Sequence, residues 1–390
     1  MNKELAITSE QYGLVAGIFF LGYFLFEIPS NLLLHKMGAR IWIARILISW
    51  GIVATLTGIV HSAHQLYVVR FLLGMAEGGY FPGIILYLTY WFRQREQAQA
   101  IALFMTALPA TSIFGAPLSG VILDHIRWFG VSGWRWLLIL EGIPALVGGI
   151  LTYFLLTGRP AEAKFLTKDE KDWISAELEQ EGRQKQGKDR ISAIQALTNR
   201  RVWHLACIGF AMNIGTYTLS FWMPQLVKPL SSGFSNTMVG VLVMIPHLLG
   251  LVMMVLVSRS SDLKGERKYH ATIPAIIVGI AFGFLAATHS VFFSVVLWSF
   301  VAMGIWSFQG PFWSLASEFL TGFSAASGIA LITSVGILGG FVGPYAFGFI
   351  SQRTGSTYGG LVVAGVSVLV SAILMLVLPI NARALTAAKD

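Results

Sequence analysis

The chain has 390 residues, 55% of them hydrophobic and 12% charged, with a mean hydropathy of +0.69 and a net charge of +8. A soluble domain carries about 25% charged residues, so there is too little charge here to cover a water-facing surface. The composition fits a polytopic membrane protein instead, with spans of about 20 residues surrounded by a lipid bilayer. The single Cys207 excludes a disulfide framework or a cysteine metal cluster. No metal, cofactor or nucleic-acid partner is expected.

In chain order, apolar runs between charged breaks predict eleven membrane helices. They lie near 10–34, 41–61, 65–91, 98–123, 134–157, 203–226, 237–258, 270–288, 291–316, 326–351 and 357–380. The first begins after Ser9-Glu10-Gln11 and is too long for a signal-peptide core. A polar stretch from Gly158 to Arg200 separates the fifth span from the sixth and reads as a soluble linker. Within it, Thr167-Lys168-Asp169-Glu170 has the spacing of a capping box for an amphipathic helix carrying Trp173, Ile174 and Leu178. The expected organisation is an N-terminal half at 1–157, a linker at 158–202 and a C-terminal half at 203–390. With the C-terminus placed in the cytoplasm, 21 of the 27 Lys and Arg fall on the inner side and 5 on the outer, with Arg70 inside a span. That imbalance sets the expected orientation and accounts for the basic charge.

The turn after the first span reads Asn31 to Arg40 with Lys36 and Gly38, and the turn after the span at 237–258 reads Ser258 to Arg267 with Asp262 and Gly265. Gly and Arg recur at the same steps, 227 positions apart, and the same offset carries Phe114 onto Phe341 and Pro117 onto Pro344. A tandem repeat of this kind is common in transporters. Applied to the span at 203–226, the offset points before Met1, so the first half is expected to lack a first helix.

Ionisable residues inside spans are expensive and mark sites or internal partners. Here they are Glu27, Arg70, Glu77 and Glu141, with His247 a weaker case. Arg70 and Glu77 are seven residues apart, about 10 Å along one helix face, with Gly74 between them. A guanidinium holds a carboxylate through two parallel hydrogen bonds, so Arg70 is the expected anion ligand. Glu77 is the expected proton carrier: ionised it competes with the anion for Arg70, and protonated it leaves Arg70 free. At the repeat offset stand Leu297 and Gly304, an asymmetry that suits a site more than a scaffold. A purely structural ion pair is the competing reading. Glu27 and Glu141, near span ends or Pro/Gly breaks, are expected to make structural polar contacts, Glu27 with the turn at Lys36–Arg40. His247, after Pro246, is expected to be a core histidine. Tyr23, Tyr217, Trp222, Trp306 and Trp313 are candidate cavity walls, with Ser314 and Ser334 behind them. The Gly-rich stretches at 115–120 and 336–343 are expected to pack helices closely.

The stretches FFLGYFLFEIPSNLLLHKMGAR (19–40), RFLLGMAEGGYFPG (70–83), GWRWLLILEGIPA (133–145), RPAEAKFLT (159–167) and FWSLASEFLTGFSAASGIALITSVGILGGFVGPYAFG (312–348) resemble the major facilitator superfamily. They are most similar to its anion:cation symporter family of tartrate, aldonate and aromatic-acid permeases. The resemblance implies an all-α polytopic fold of two six-helix halves around a central cavity, with eleven of the twelve helices present. It implies a transporter of the bacterial inner membrane that takes up a small organic acid anion with protons by alternating access; a monomer is expected, and an enzyme is not, since the spacing yields no nucleophile–base pair or metal-ligand cluster. Aldonate permeases of the family use an Arg and a Glu at the spacing of Arg70 and Glu77 as anion ligand and proton carrier. The family also places aromatics near Tyr23, Tyr217 and Trp313, which with Ser334 are the expected substrate contacts. The turns with Lys36, Arg40, Asp262 and Arg267 resemble the superfamily's cytoplasmic gating motif, in which His35 stands where Asp is usual. Two further departures are the absence of the Asp-Arg pair of the family's first helix and Ile337 in place of a common Asn. A proton-independent exchanger or facilitator, a non-transporting sensor, and a truncated inactive form are the rival expectations.

Overall fold

A computed structural model describes residues 1–2, 4–186, 198–231, 233–319 and 323–379; the side chains of 35, 94–95, 98–99, 102, 182–186, 318–319 and 323–327 lie outside the description. His35 therefore falls outside the described side chains. The described residues form helices joined by short turns, without a strand. They are α1 (Ser9–Met37), α2 (Ala39–Thr57), α3 (Ala63–Glu77), α4 (Tyr80–Thr89), α5 (Gln94–Met105), α6 (Ala107–His125), α7 (Gly133–Leu155) and the linker helix α8 (Lys168–Gln186). After the linker come α9 (Arg200–Leu230), α10 (Asn236–Lys264), α11 (Lys268–Ala287), α12 (Val291–Phe319), α13 (Phe323–Thr354) and α14 (Tyr358–Val377).

Ten helical segments among the described residues are long and apolar enough to cross a membrane, which makes this a multi-pass membrane protein. They match ten of the eleven expected spans. The other, near 203–226, is α9, a helix of 31 residues whose His204, Asn213, Thr216, Tyr217 and Ser220 lower its hydropathy. It can afford them because its other faces are packed: Leu205, Ile208, Met212 and Leu219 are fully buried against neighbouring helices. Two expected spans are interrupted. The one near 65–91 breaks at Gly78–Gly79 into α3 and α4, and the one near 98–123 breaks at Thr106 between α5 and α6.

The chain clusters into two compact units. One holds Met1–Ile7, Ile18–Ala107 and the segment from His125 through α8; the other holds Thr8–Gly17, Leu108–Asp124 and the helices from α9 onward. In the first unit α1 and α3 touch backbone to backbone. A methyl on Gly22 would collide with the Phe71 carbonyl, and one on Gly74 with the Phe19 carbonyl. In the second, Gly339 and Gly343 of α13 meet the Phe210 and Ile214 carbonyls of α9 in the same way, the close approach that small residues allow in membranes. The core of this unit is aromatic and aliphatic, with Trp298, Phe282, Phe308 and Phe347 fully buried. Both Pro117 in α6 and Pro344 in α13 sit within continuing helices.

The two repeat turns share one backbone feature. Gly38 and Gly265 each follow a long helix with positive φ, +85° and +60°, a conformation glycine adopts without a steric penalty. The linker helix starts at the expected capping box: the Thr167 N–H donates to Glu170 Oε2 at 2.8 Å, and the Glu170 N–H to Thr167 Oγ1 at 3.4 Å. The linker is clamped to the end of α4 by aromatic contacts. Trp91 stacks on Phe165 at 6.0 Å, the Arg93 guanidinium lies 4.9 Å from the Trp173 ring centre, and the Tyr87 hydroxyl donates to the Thr157 carbonyl at 3.0 Å.

Candidate functional site

In the first unit the close approach of α1 and α3 organises the polar residues. Gly74 abuts the backbone of Phe19 and Tyr23, and Gly78 that of Tyr23. The buried Tyr23, 7% exposed, is thus set beside the stretch of α3 that runs from Arg70 to Glu77. Both ionisable side chains are half-buried. Seven residues apart, Arg70 and Glu77 share one face of α3, and Tyr80 opens α4 just past the break. Glu77 is the last residue of α3; Gly78 turns the chain into extended geometry (ψ 125°) and Gly79 into the left-handed region (φ +88°) before α4 begins. Gly79 is required there, since a methyl would also strike the Ser30 side chain.

A second cation serves this break. Arg45, two turns into α2, stacks over Trp42 with 4.1 Å between the guanidinium carbon and the ring centre. It donates to the Ser49 hydroxyl and to the Ala76 carbonyl, each at 3.4 Å. Ala76 is in the last turn of α3, where carbonyls lack helical partners. Trp42 is itself fixed by donating to the Ser30 hydroxyl at 2.9 Å. The orientation count takes Arg45 as one of the 21 inner-side cations, and the structure places it half-buried within α2.

In the second unit α9 carries Asn213, Thr216, Tyr217 and Ser220 at helical spacing on its less buried face. Asn213 donates to the Gly336 carbonyl of α13 at 2.9 Å, and the Tyr217 ring stacks along Phe221 at 6.4 Å. Trp313 on α12 is half-buried against Phe312, and Ser334 on α13 is buried. Tyr217, Trp313 and Ser334 thus belong to this unit, and Arg70, Glu77 and Tyr23 to the first. Asn213 and Tyr80 escaped the sequence reading, although an Asn inside a span is a visible polar signal.

Trp222, Trp306 and His247 pack in the interior of the second unit. Trp222 stacks on Phe347 at 4.2 Å and meets Tyr12 edge-on. Buried Trp306 donates to Nδ1 of buried His247 at 3.3 Å. Ser314 is half-buried. Glu27 is buried in α1 and Glu141 lies on an exposed face of α7. At the turns, Arg40 donates to the Tyr153 carbonyl of α7 at 2.6 Å, Lys36 is exposed, and Arg267 pairs with Asp262 and donates to Ser261.

The model of the Major Facilitator Superfamily matches residues 1–344. The chain belongs to this superfamily. Like other superfamily members it is a membrane transporter and not an enzyme. A putative tartrate transporter of Agrobacterium vitis is 44% identical over 97% of this chain and 84% of its own length. A putative metabolite transport protein, NicT of Pseudomonas putida, is 38% identical over 97% of the chain and 87% of its own length. Superfamily architecture is evident in three dimensions as well. The xylose transporter XylE of E. coli, in a partially occluded inward-open conformation, superposes with a TM-score of 0.76 at 15% identity, covering 96% of this chain and 88% of that one.

Proposed function

We propose that the protein takes up a small organic acid anion together with protons. The observation that carries this reading is Arg70 and Glu77, two turns apart on one face of α3 within a membrane span and beside the glycine contact with α1. An intramembrane guanidinium suits a carboxylate, and a carboxyl that competes for the same cation links proton uptake to anion binding. Tyr23, Tyr217, Trp313 and Ser334 complete the substrate contacts, with Arg45 holding the end of α3. The name of the A. vitis relative favours a hydroxydicarboxylate such as tartrate among the possible anions.

In this reading the protein works as a monomer in the bacterial inner membrane. Linker and C-terminus face the cytoplasm, and a half at 1–157 rocks against a half at 203–390 across the linker at 158–202. The paired turns at Lys36–Arg40 and Asp262–Arg267 latch the cytoplasmic ends of helices. A proton entering down a 100 mV potential contributes about 2.3 kcal/mol. Proteoliposomes loaded with buffer and given labelled tartrate, an aldonate or an aromatic acid test the proposal. A symporter accumulates one of these under an inward proton gradient and loses accumulation on adding a proton ionophore. Accumulation that is indifferent to the ionophore, with counterflow intact, identifies an exchanger and refutes proton coupling.

A further inference from the structure

The connection between α6 and α7 carries two exposed aromatic side chains. It joins two membrane spans, so it lies at a membrane surface, and those two spans are the ones least covered by other helices. Within it Trp128 is 53% exposed and Phe129 is 92% exposed. Phe129 also has left-handed backbone geometry, φ 57° and ψ 25°, which a residue with a bulky side chain adopts against a steric penalty. The loop that imposes it is well tied. The Trp136 indole at the start of α7 donates to the Trp128 carbonyl at 3.0 Å, and the two indole rings meet edge-on at 5.2 Å. The Phe129 ring lies tilted to Trp136, with 6.3 Å between ring centres. The strain is therefore held in place by a fixed aromatic platform, and its result is a phenyl ring standing outward beside a basic residue, Arg127.

We infer that Arg127, Trp128 and Phe129 form an anchor that binds the lipid surface. Trp128 and Phe129 enter the glycerol and upper acyl layer, and Arg127 engages a lipid phosphate. Amphipathic and aromatic rings collect at this depth, and a cation flanking them finds anionic oxygen there.

The test uses the full chain in vesicles of phosphatidylethanolamine and phosphatidylglycerol. Cys207→Ser removes the single cysteine, and Phe129→Cys then accepts a nitroxide at the proposed tip. The expected result is collision with dissolved oxygen severalfold more frequent than with a water-soluble nickel chelate, the reverse of a label at Lys171→Cys on the linker helix. A chelate-accessible tip, or one shielded from both agents by protein, overturns the proposal. A second measurement avoids any change at the strained residue. Emission lost on Trp128→Phe is assigned to Trp128, and phospholipids brominated near the headgroup end of the chain should quench it. An unquenched Trp128 also overturns the anchor.

Discussion

Replacing Arg135 with Met should cost the fold more than any change to its ionic partner alone. Arg135, 9% exposed at the start of α7, divides its donors between two jobs. Nη1 donates to the Gly58 and Val60 carbonyls at 3.1 and 2.6 Å, just past the end of α2. Nε and Nη2 donate to Glu4 at 3.2 and 3.0 Å, and the guanidinium also lies over Trp134. The two carbonyl bonds contribute about 1 kcal/mol each, more if the carbonyls stay dry after the change. The pair with Glu4, whose side chain is 40% exposed, contributes at most about 1 kcal/mol after solvent screening. The sum is about 3 kcal/mol for Arg135→Met, against about 1 kcal/mol for Glu4→Gln. In thermal unfolding of purified protein in detergent this corresponds to a fall in Tm of roughly 5 °C and under 2 °C, respectively. The pH dependence separates the two parts. Hydrogen bonds from Ser132 first, then Trp134 and Arg135, hold the Glu4 carboxyl at about 2, below its ordinary 4.5. A lowered carboxyl contributes fully above 4.5, and its share fades as pH falls toward 2. The carbonyl share does not fade. Equal losses for the two variants, or a loss on Arg135→Met that disappears wholly in acid, would refute this division.

Four further outcomes follow from the geometry. Arg70→Lys keeps the charge but not the planar fork, so uptake should drop at least about tenfold with an unchanged Tm; normal uptake removes Arg70 from the site. Glu77→Gln should abolish gradient-driven accumulation and spare counterflow, which a flow assay in proteoliposomes reads directly; accumulation by this variant rules out Glu77 as proton carrier. Gly74→Ala forces a methyl into the Phe19 carbonyl and should cost about 1–3 kcal/mol or prevent folding, whereas Gly115→Ala meets open space and should be neutral or stabilising by about 0.5–1 kcal/mol. Size-exclusion yield and Tm distinguish them. Thr167→Val removes the hydroxyl half of the linker capping box and should destabilise α8 by about 1 kcal/mol, seen as faster amide exchange in its first turn alone.

Most of the architecture was legible because it rests on periodic and compositional signals. Spans follow from hydropathy, the linker helix from the Thr167–Glu170 box, and the matching turns from Gly38 and Gly265, whose positive φ explains why the repeat keeps glycine there. The interruption at Gly78–Gly79 was less legible, since paired glycines inside a span serve either close packing or a break. Here Gly78 packs on the Tyr23 backbone and Gly79 turns the chain. Arg70 and Glu77 stood out because charge is rare in spans. Arg45 did not, because near the start of its span it was counted with the charges of the adjoining basic loop. How deeply each aromatic ring packs was not readable from type or spacing. Trp222 and Trp306 differ from Trp313 only in what the neighbouring helices bring against them.

The broken span has a mechanical consequence. Because Gly78 and Gly79 leave helical geometry, α3 and α4 are separate levers joined at a two-residue pivot, with Glu77 at the tip of one. The far end of the other lever is held by the linker through Tyr87, Trp91 and Arg93. A displacement of the linker would therefore reach α4 first and be passed to Glu77 only through the pivot, while Arg45 ties the α3 side to α2. The linker and the intramembrane carboxyl, far apart in kind, are thus joined by one short run of contacts.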